Sequence, residues 1–114
     1  MSTLLVVTGS HAIERSIVWC ALDEEKPDCV FVGDCETGTD HYTRQWCAAN
    51  GVPCCVLLAD WSRGKRGGPR RNTCLVQAAV LSGVKRMFAF PRGGRGTADC
   101  IRKAVAAGLE VIGF

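Results

Sequence analysis

Residues 86–97 read RMFAFPRGGRGT, a mostly apolar run followed by a loop rich in glycine and arginine. The apolar run has the length and composition of a buried β-strand. Thr97 can cap a helix, and the residues after it have helical spacing as far as residue 107, just before Gly108. A strand, a tight loop and a helix in this order form the repeating unit of α/β proteins.

The same alternation extends over the whole chain. Strand patterns occupy residues 3–8, 29–32, 54–59, 86–90 and 109–112. Helical patterns occupy residues 12–25, 39 or 40 to 50, 70 or 71 to 82, and 97–107. Continuously apolar strands separated by helices indicate a parallel sheet that is covered on both faces. We expect one Rossmann-like α/β domain over residues 1–114, with three αβα layers and, by analogy with doubly wound folds, the strand order 3-2-1-4-5.

Eight cysteines are many for a chain of 114 residues. They form no CxxC pair, and the two histidines, His11 and His41, stand near no such pair, so we expect no metal site. Most of the cysteines fall within predicted helices and strands. This placement favours reduced thiols used as small core residues over disulfide bonds.

Hydropathy argues against a membrane protein. The longest apolar runs are far shorter than the roughly 20 residues that a spanning helix needs, and the apolar start at residues 4–7 is too short for a signal peptide. We therefore expect a cytoplasmic protein without membrane association.

Charge is distributed unevenly between the two halves of the chain. Residues 1–60 carry nine acidic and three basic side chains, whereas residues 61–114 carry eleven basic and two acidic ones. The basic residues concentrate in two glycine-rich stretches, 61–71 and 92–103. Positive charge beside glycine suits an anionic ligand, although a solvated basic face is an alternative. Nucleic acid is a less favoured partner, because these stretches are short loops and the acidic half would repel phosphates.

The loop after the fourth strand carries the clearest signal for a phosphate. Glycines let the backbone approach a ligand and expose its N–H groups, and the N-terminus of the following helix favours an anion. Arginines add charge-assisted hydrogen bonds. A tight turn with an ordinary cap is the alternative. The candidate phosphate-binding residues are Arg92, Gly93, Gly94, Arg95, Gly96 and Thr97.

The loop after the first strand, Gly9-Ser10-His11, contains neither the GxGxxG pattern of dinucleotide folds nor a P-loop. This difference argues against a nicotinamide enzyme and against an ATPase. Ser10 and His11 are candidates for contact with a ligand. Ser10 could equally cap the first helix.

The second and third loops supply candidates for the other parts of a nucleotide. In the second loop, Asp34 or Asp40 could accept hydrogen bonds from a ribose, although Thr39 and Asp40 are also good helix caps. In the third loop, Trp61 could stack on a base or merely cover the end of the sheet. Arg71 and the adjacent Asn72 open a helix, where the arginine could reach a phosphate or remain solvated.

Taken in order, these loops resemble those of the SLOG superfamily, and in particular its small YspA-like members. The matching segments are VTGS at residues 7–10, GDCETGTD at 33–40, ADW at 59–61, GGPRRN at 67–72 and FPRGGRGT at 90–97. The resemblance implies a Rossmann-like fold that binds a nucleotide or a nucleotide-derived small molecule, and no additional cofactor. It implies a ligand site formed by Gly9, Ser10, Gly33, Asp34, Gly38, Asp40, Arg71, Asn72, Gly93, Gly94, Gly96 and Thr97.

The superfamily includes the DNA-processing protein DprA and the LOG phosphoribohydrolases, which release a base from a nucleoside monophosphate. In the LOG pattern PGGxGTxxE the last residue is a catalytic glutamate. Cys100 occupies the corresponding position here, and Asp99 lies one residue earlier, rotated by about 100° on a helix. The sequence therefore favours a binder or sensor. Hydrolysis of an N-glycosidic bond is the alternative, with Asp99 and Asp34 as candidate catalytic residues.

A homo-oligomer is a further expectation. Trp19 and Trp46 lie on predicted helices. One of them could face a second copy of the chain, or both could belong to the core of the domain.

Overall fold

The computed structural model describes residues 3–114, apart from the side chain of Arg63. Five strands alternate with four α-helices along the chain. A six-residue 3₁₀ segment, Trp61–Arg66, precedes the third helix. The elements are β1 Leu4–Gly9, α1 Arg15–Glu25, β2 Cys29–Gly33, α2 Thr39–Asn50, β3 Cys54–Leu57, α3 Gly67–Leu81, β4 Arg86–Phe90, α4 Arg95–Ala106 and β5 Glu110–Gly113.

The five strands form a parallel sheet with the order β3-β2-β1-β4-β5. This architecture confirms the predicted Rossmann-like α/β fold and its strand order. The central strand, β1, pairs with β2 on one side and β4 on the other, so that Val6 lies beside Phe31 and Met87. Successive strand side chains point to opposite faces of the sheet, and each face therefore has its own core.

Helices α1 and α2 cover one face of the sheet, and α3 and α4 cover the other. On the first face, Leu22 and Trp46 pack with alternate residues of β1 and β2, and with Phe88 and Phe90 of β4. On the second face, residues of α3 and α4, among them Leu75, pack with the remaining strand side chains. Both layers therefore meet the sheet through continuous apolar contact, which explains why the strands lack polar alternation.

The first helix is shorter than the sequence predicts. It begins at Arg15 instead of residue 12, because the Ser10 hydroxyl accepts a hydrogen bond from the backbone N–H of Ala12 (3.0 Å) and holds a turn there. Ser10 therefore caps this turn and not the helix. Within α1, Ile17 is exposed, whereas Val18 is buried against the sheet.

The third helix is longer than predicted. It begins at Gly67 and includes the Gly67-Gly68-Pro69 segment, which the sequence analysis assigned to a loop. Gly67 is required by a close approach, since a Cβ atom there would lie 2.1 Å from the carbonyl oxygen of Asp60. Pro69 fits because the first helical turn needs no intrahelical N–H donor at that position. Strand β3 ends two residues earlier than predicted, at Leu57.

The tryptophans of the first two helices join those helices to each other. The Trp46 indole is buried, and its N–H donates to the Asp23 carboxylate over 2.8 Å. The half-buried Trp19 indole donates to the backbone oxygen of Tyr42 over 2.9 Å. Both rings thus pack within the domain, and the homo-oligomer remains a prediction.

All eight cysteines are free thiols, but they do not all lie in the core. Cys47 and Cys100 are buried, as expected, whereas Cys20 on α1, Cys55 on the edge strand β3 and Cys74 on α3 are exposed. The expectation of core thiols is therefore wrong for these three. Within residues 3–114, no three His, Cys, Asp or Glu side chains come close enough together to hold a metal ion. The helices described in that range are each too short or too polar to cross a bilayer.

This distribution predicts the order of thiol modification in the folded protein. Under native conditions we expect a maleimide to modify Cys20, Cys55 and Cys74 first, because reaction requires access to the sulfur. Cys47 and Cys100 should react only after unfolding. Peptide mass spectrometry would follow each site, with urea-unfolded protein as the control in which all eight react. Modification of Cys47 and Cys100 at the rate of Cys20 would contradict the fold described here.

Candidate ligand-binding site

A cavity of about 640 Å³ lies beyond the carboxyl ends of the strands. Its walls include the loops after β1 and β4, which are neighbours in the sheet although they are far apart in sequence. The strand order reverses direction between these two strands. In open α/β sheets this reversal opens a crevice where ligands bind, and the cavity volume is in the range of small-molecule sites.

Most of the predicted site residues line this cavity. They come from all four strand-to-helix loops, which the fold brings together at one edge of the sheet. The predicted residues that line the cavity are Gly9, Ser10, His11, Gly33, Asp40, Trp61, Arg71, Asn72, Gly94, Arg95, Gly96 and Thr97, together with the candidate catalytic residue Asp99. The predicted residues outside its lining are Asp34, Gly38, Thr39, Arg92 and Gly93.

Gly38 and Thr39 hold the first two loops together. The backbone N–H and the hydroxyl of Thr39 both donate to the carbonyl oxygen of Ser10, over 3.1 and 2.9 Å. Gly38 has a φ of 72°, and a Cβ atom there would lie 2.3 Å from the Cα atom of His11. Neither Thr39 nor Asp40 caps α2 through its side chain, so the predicted capping role is wrong for both.

Asp34 and Arg71 form a largely buried ion pair beneath the cavity. A guanidinium nitrogen of Arg71 lies 2.6 Å from an Asp34 oxygen, and the Arg71 side chain is only 9% exposed. The second Asp34 oxygen accepts a hydrogen bond from the backbone N–H of Ala59, over 3.1 Å. Asp34 therefore ties the ends of β2 and β3 to α3, and Arg71 presents a fixed positive charge to the cavity.

Asn72 joins α3 to α4 at the opposite wall. Its side-chain oxygen accepts from Arg71 Nε (3.1 Å), and its amide nitrogen donates to the Gly96 carbonyl (3.2 Å) and to Asp99 (3.1 Å). Asp99 also accepts from Lys103 (2.8 Å) and Arg102 (2.6 Å). Partial burial would raise the pKa of Asp99, but hydrogen bonds from Lys103 and Asn72 outweigh it, so this pKa lies below its usual value.

Asp40 differs from Asp99 in its surroundings. Burial raises the pKa of Asp40, and the nearby Arg71 charge and the backbone N–H of Cys35 oppose this rise only in part. The Cys35 thiol lines the cavity beside it. Burial first, and then the Asp40 charge, raises the pKa of Cys35, so this thiol lacks the lowered pKa of a reactive nucleophile.

The first turn of α4 opens onto the cavity. The helix begins at Arg95, two residues before the predicted start, and Gly94 is the N-cap residue. No side chain caps its N–H groups, and Thr97 is buried within the first turn instead of capping it. A methyl group added at Gly94 or Gly96 would meet no atom within 4 Å. Packing therefore requires neither glycine, and Gly94, Arg95 and Gly96 are exposed at the wall of the cavity.

Arg92 points away from this turn, contrary to its predicted role with the phosphate. Its guanidinium donates to the backbone oxygens of Pro91 (2.6 Å) and Phe114 (2.8 Å). Gly93, with a φ of 91°, lies in a bend between Arg92 and Arg95. Arg95 lines the cavity instead and, within the part of the chain that the structure describes, forms no ion pair or hydrogen bond through its side chain.

The 3₁₀ segment and the first turn of α3 supply a less polar wall. The Trp61 indole is 58% exposed and lies against Gly68, where a Cβ atom would be 3.1 Å from the ring. Lys65 and Leu75 line the same side. This wall combines an accessible aromatic face with a cation.

Sequence reasoning did not single out six of the lining residues. Lys65, Gly68 and Pro69 belong to the basic, glycine-rich stretch that drew attention as a whole, but their spacing is that of a loop. The buried or helical patterns of the others gave no signal for a site. The six are Thr8, Cys35, Lys65, Gly68, Pro69 and Leu75.

Comparison with known proteins gives one relative. The chain is 34% identical to the Gene 61 protein of Mycobacterium phage D29, over an alignment of 123 residues that covers 96% of this chain and 94% of the relative. The chain belongs to the Gene 61 protein family. No protein-family model and no solved structure matches it. The name of the phage protein states no activity, and the function of this family member therefore rests on the chemistry of the cavity.

Gly38 allows a stability test of the junction between the first two loops. We expect Gly38→Ala to lower the free energy of unfolding by about 1–3 kcal/mol more than Gly51→Ala, because its new methyl group meets the backbone of His11. Gly51 is the matched control, with a similar φ of 65° but open space around its Cβ position. Urea denaturation measures both. Equal losses for the two variants would contradict the close contact of the loops.

Proposed function

We propose that this protein binds a nucleotide or a nucleotide-derived small molecule, and that it captures or senses this ligand without converting it. The observation that carries the proposal is the first turn of α4. Its N–H groups have no side-chain cap, two glycines that packing does not require leave them accessible, and Arg95 lies beside them. Helix N-termini and arginine side chains favour a phosphate group.

The remaining walls suit the other parts of such a ligand. The exposed face of Trp61 offers a surface for stacking of a base, and Lys65 lies close enough to share the ligand's negative charge. Asp40 lines the cavity and offers a carboxylate oxygen to a sugar hydroxyl. The resemblance of all four loops to the SLOG superfamily supports the same ligand class.

Hydrolysis is less well supported than binding. Asp34 is engaged by Arg71 and Ala59 and does not line the cavity. Asp99 lines it, but both of its oxygens already accept hydrogen bonds from neighbouring side chains. Cys100, at the position of the LOG glutamate, is fully buried. These arrangements favour a role for the carboxylates in holding the loops.

Thermal unfolding with a panel of ligands tests the proposal. The panel contains nucleoside monophosphates, ADP-ribose, NAD and cyclic nucleotides, and chromatography follows any release of base. We expect at least one compound to raise the melting temperature without being converted. Release of base would replace the proposal by the hydrolase alternative, and the absence of any shift across the panel would overturn it.

Gly96→Ala separates ligand binding from stability. Alanine is favoured over glycine within a helix by up to about 1 kcal/mol, so we expect the free variant to unfold at a higher temperature than the wild type. Because its methyl group covers the accessible backbone, we also expect about tenfold weaker binding of whichever panel compound stabilises the wild type, the factor that loss of one hydrogen bond produces.

Gly113→Ala is the control, since its Cβ position is equally open but lies on β5, outside the cavity. It should leave the affinity unchanged. Unchanged affinity in Gly96→Ala, or an equal loss in both variants, would argue against a phosphate at the first turn of α4.

A further inference from the structure

Phe114 packs on the first face of the sheet, beside β4. Phe88 and Phe90 of β4 are buried on this face, with 3% and 0% exposure, in the same core as Leu22 of α1 and Trp46 of α2. The ring of Phe114 lies against both of these phenylalanines. Its centroid lies 4.9 Å from that of Phe88, edge-on, and 4.9 Å from that of Phe90, in a stacked arrangement.

Phe114 is also bound through its backbone on both sides. Its N–H donates to the Ala89 carbonyl over 2.9 Å, which continues the pairing of β5 with β4. Its backbone oxygen accepts from the Arg92 guanidinium over 2.8 Å, and the same guanidinium nitrogen reaches the Pro91 carbonyl. Phe114 therefore contacts the residues immediately before and after Pro91.

These contacts lie at the start of the loop that leads into α4. Phe90 connects this loop to the first one, because its carbonyl oxygen accepts from the backbone N–H of Ser10 over 3.0 Å. At the far end of the loop, Asn72 holds the Gly96 carbonyl. Residues 91–96 are exposed between these two attachments. The beginning of the loop is therefore held by the side chains of Arg92 and Phe114.

We propose that Phe114 and Arg92 form a clasp that positions the loop of residues 91–94, and through it the N–H groups of the first turn of α4, which lines the cavity. Both are positioning residues, because neither lines the cavity. The consequence for ligand affinity rests on the function proposed above. The mechanical part, the order of the loop in the free protein, does not depend on it.

Amide hydrogen exchange of the free protein tests the clasp. The protected amide in the peptide that covers residues 91–98 is that of Ala98, whose N–H donates to the Gly94 carbonyl over 3.2 Å. We expect Arg92→Ala and Phe114→Ala to accelerate exchange of this amide by about tenfold, the factor expected for loss of one hydrogen bond or a comparable contact. Phe114→Tyr keeps the stacked ring, and we expect this variant to exchange at the wild-type rate. Peptides from β1 should exchange at the wild-type rate in Arg92→Ala, which removes only an exposed side chain.

Two control variants match the substitutions in chemistry and exposure. Lys85→Ala removes an exposed cation at the other end of β4, and Val105→Ala removes an exposed apolar side chain from α4. Neither should change exchange in residues 91–98. The clasp would be overturned if exchange in residues 91–98 were unchanged in Arg92→Ala and Phe114→Ala. It would also be overturned if Arg92→Ala accelerated exchange equally in the β1 peptides and in residues 91–98.

Titration with AMP and ADP-ribose then separates the two proposals. If the wild type binds either compound, we expect about tenfold weaker binding in Arg92→Ala and in Phe114→Ala. Phe114→Tyr should bind the compound with the wild-type affinity. Equal affinities in wild type and variants would overturn the effect of the clasp on the site. Failure of the wild type to bind any nucleotide of the panel would overturn the proposed function, and exchange in residues 91–98 would then decide the clasp by itself.

Discussion

The Arg71 guanidinium is the contact on which the geometry of the cavity depends. It is nearly buried, pairs with Asp34 at the end of β2, and donates to Asn72, which in turn holds Gly96 and Asp99 of α4. Arg71 and Asn72 together thus connect three of the four loops at the carboxyl edge of the sheet. Removing Asp34 would leave this charge buried without its closest partner, which costs more than the pair contributes when intact.

Five glycines of these loops fall into two physical classes. Gly9, Gly33 and Gly67 are required by packing, since a Cβ atom at each would lie within 3 Å of a neighbouring residue. Gly94 and Gly96 have open space at the Cβ position, and their φ values are not in the left-handed region. The first class holds the loops together. The second leaves backbone N–H groups accessible, which is why we associate it with the ligand.

The fold could be predicted from the sequence because its signals are local. Apolar strands, helical spacing and polar loops at one end of each unit are sufficient for the parallel sheet and for the edge that carries the site, whereas the strand order is expected by analogy with doubly wound folds. Individual contacts depend on packing between distant residues. Gly38 approaches the backbone of His11, although the two residues are far apart in sequence and no sequence pattern links them. Arg95 lines the cavity, whereas Arg92, three residues earlier, bonds to the backbone of Pro91 and Phe114.

The most direct test of the account is a ¹⁵N NMR titration with the nucleotide panel, which reports where a ligand binds. We predict saturable shifts concentrated on the backbone amides of Arg95, Gly96 and Thr97 and on the indole N–H of Trp61. Shifts confined to residues outside the cavity, or no shifts with any member of the panel, would contradict a nucleotide site at the first turn of α4.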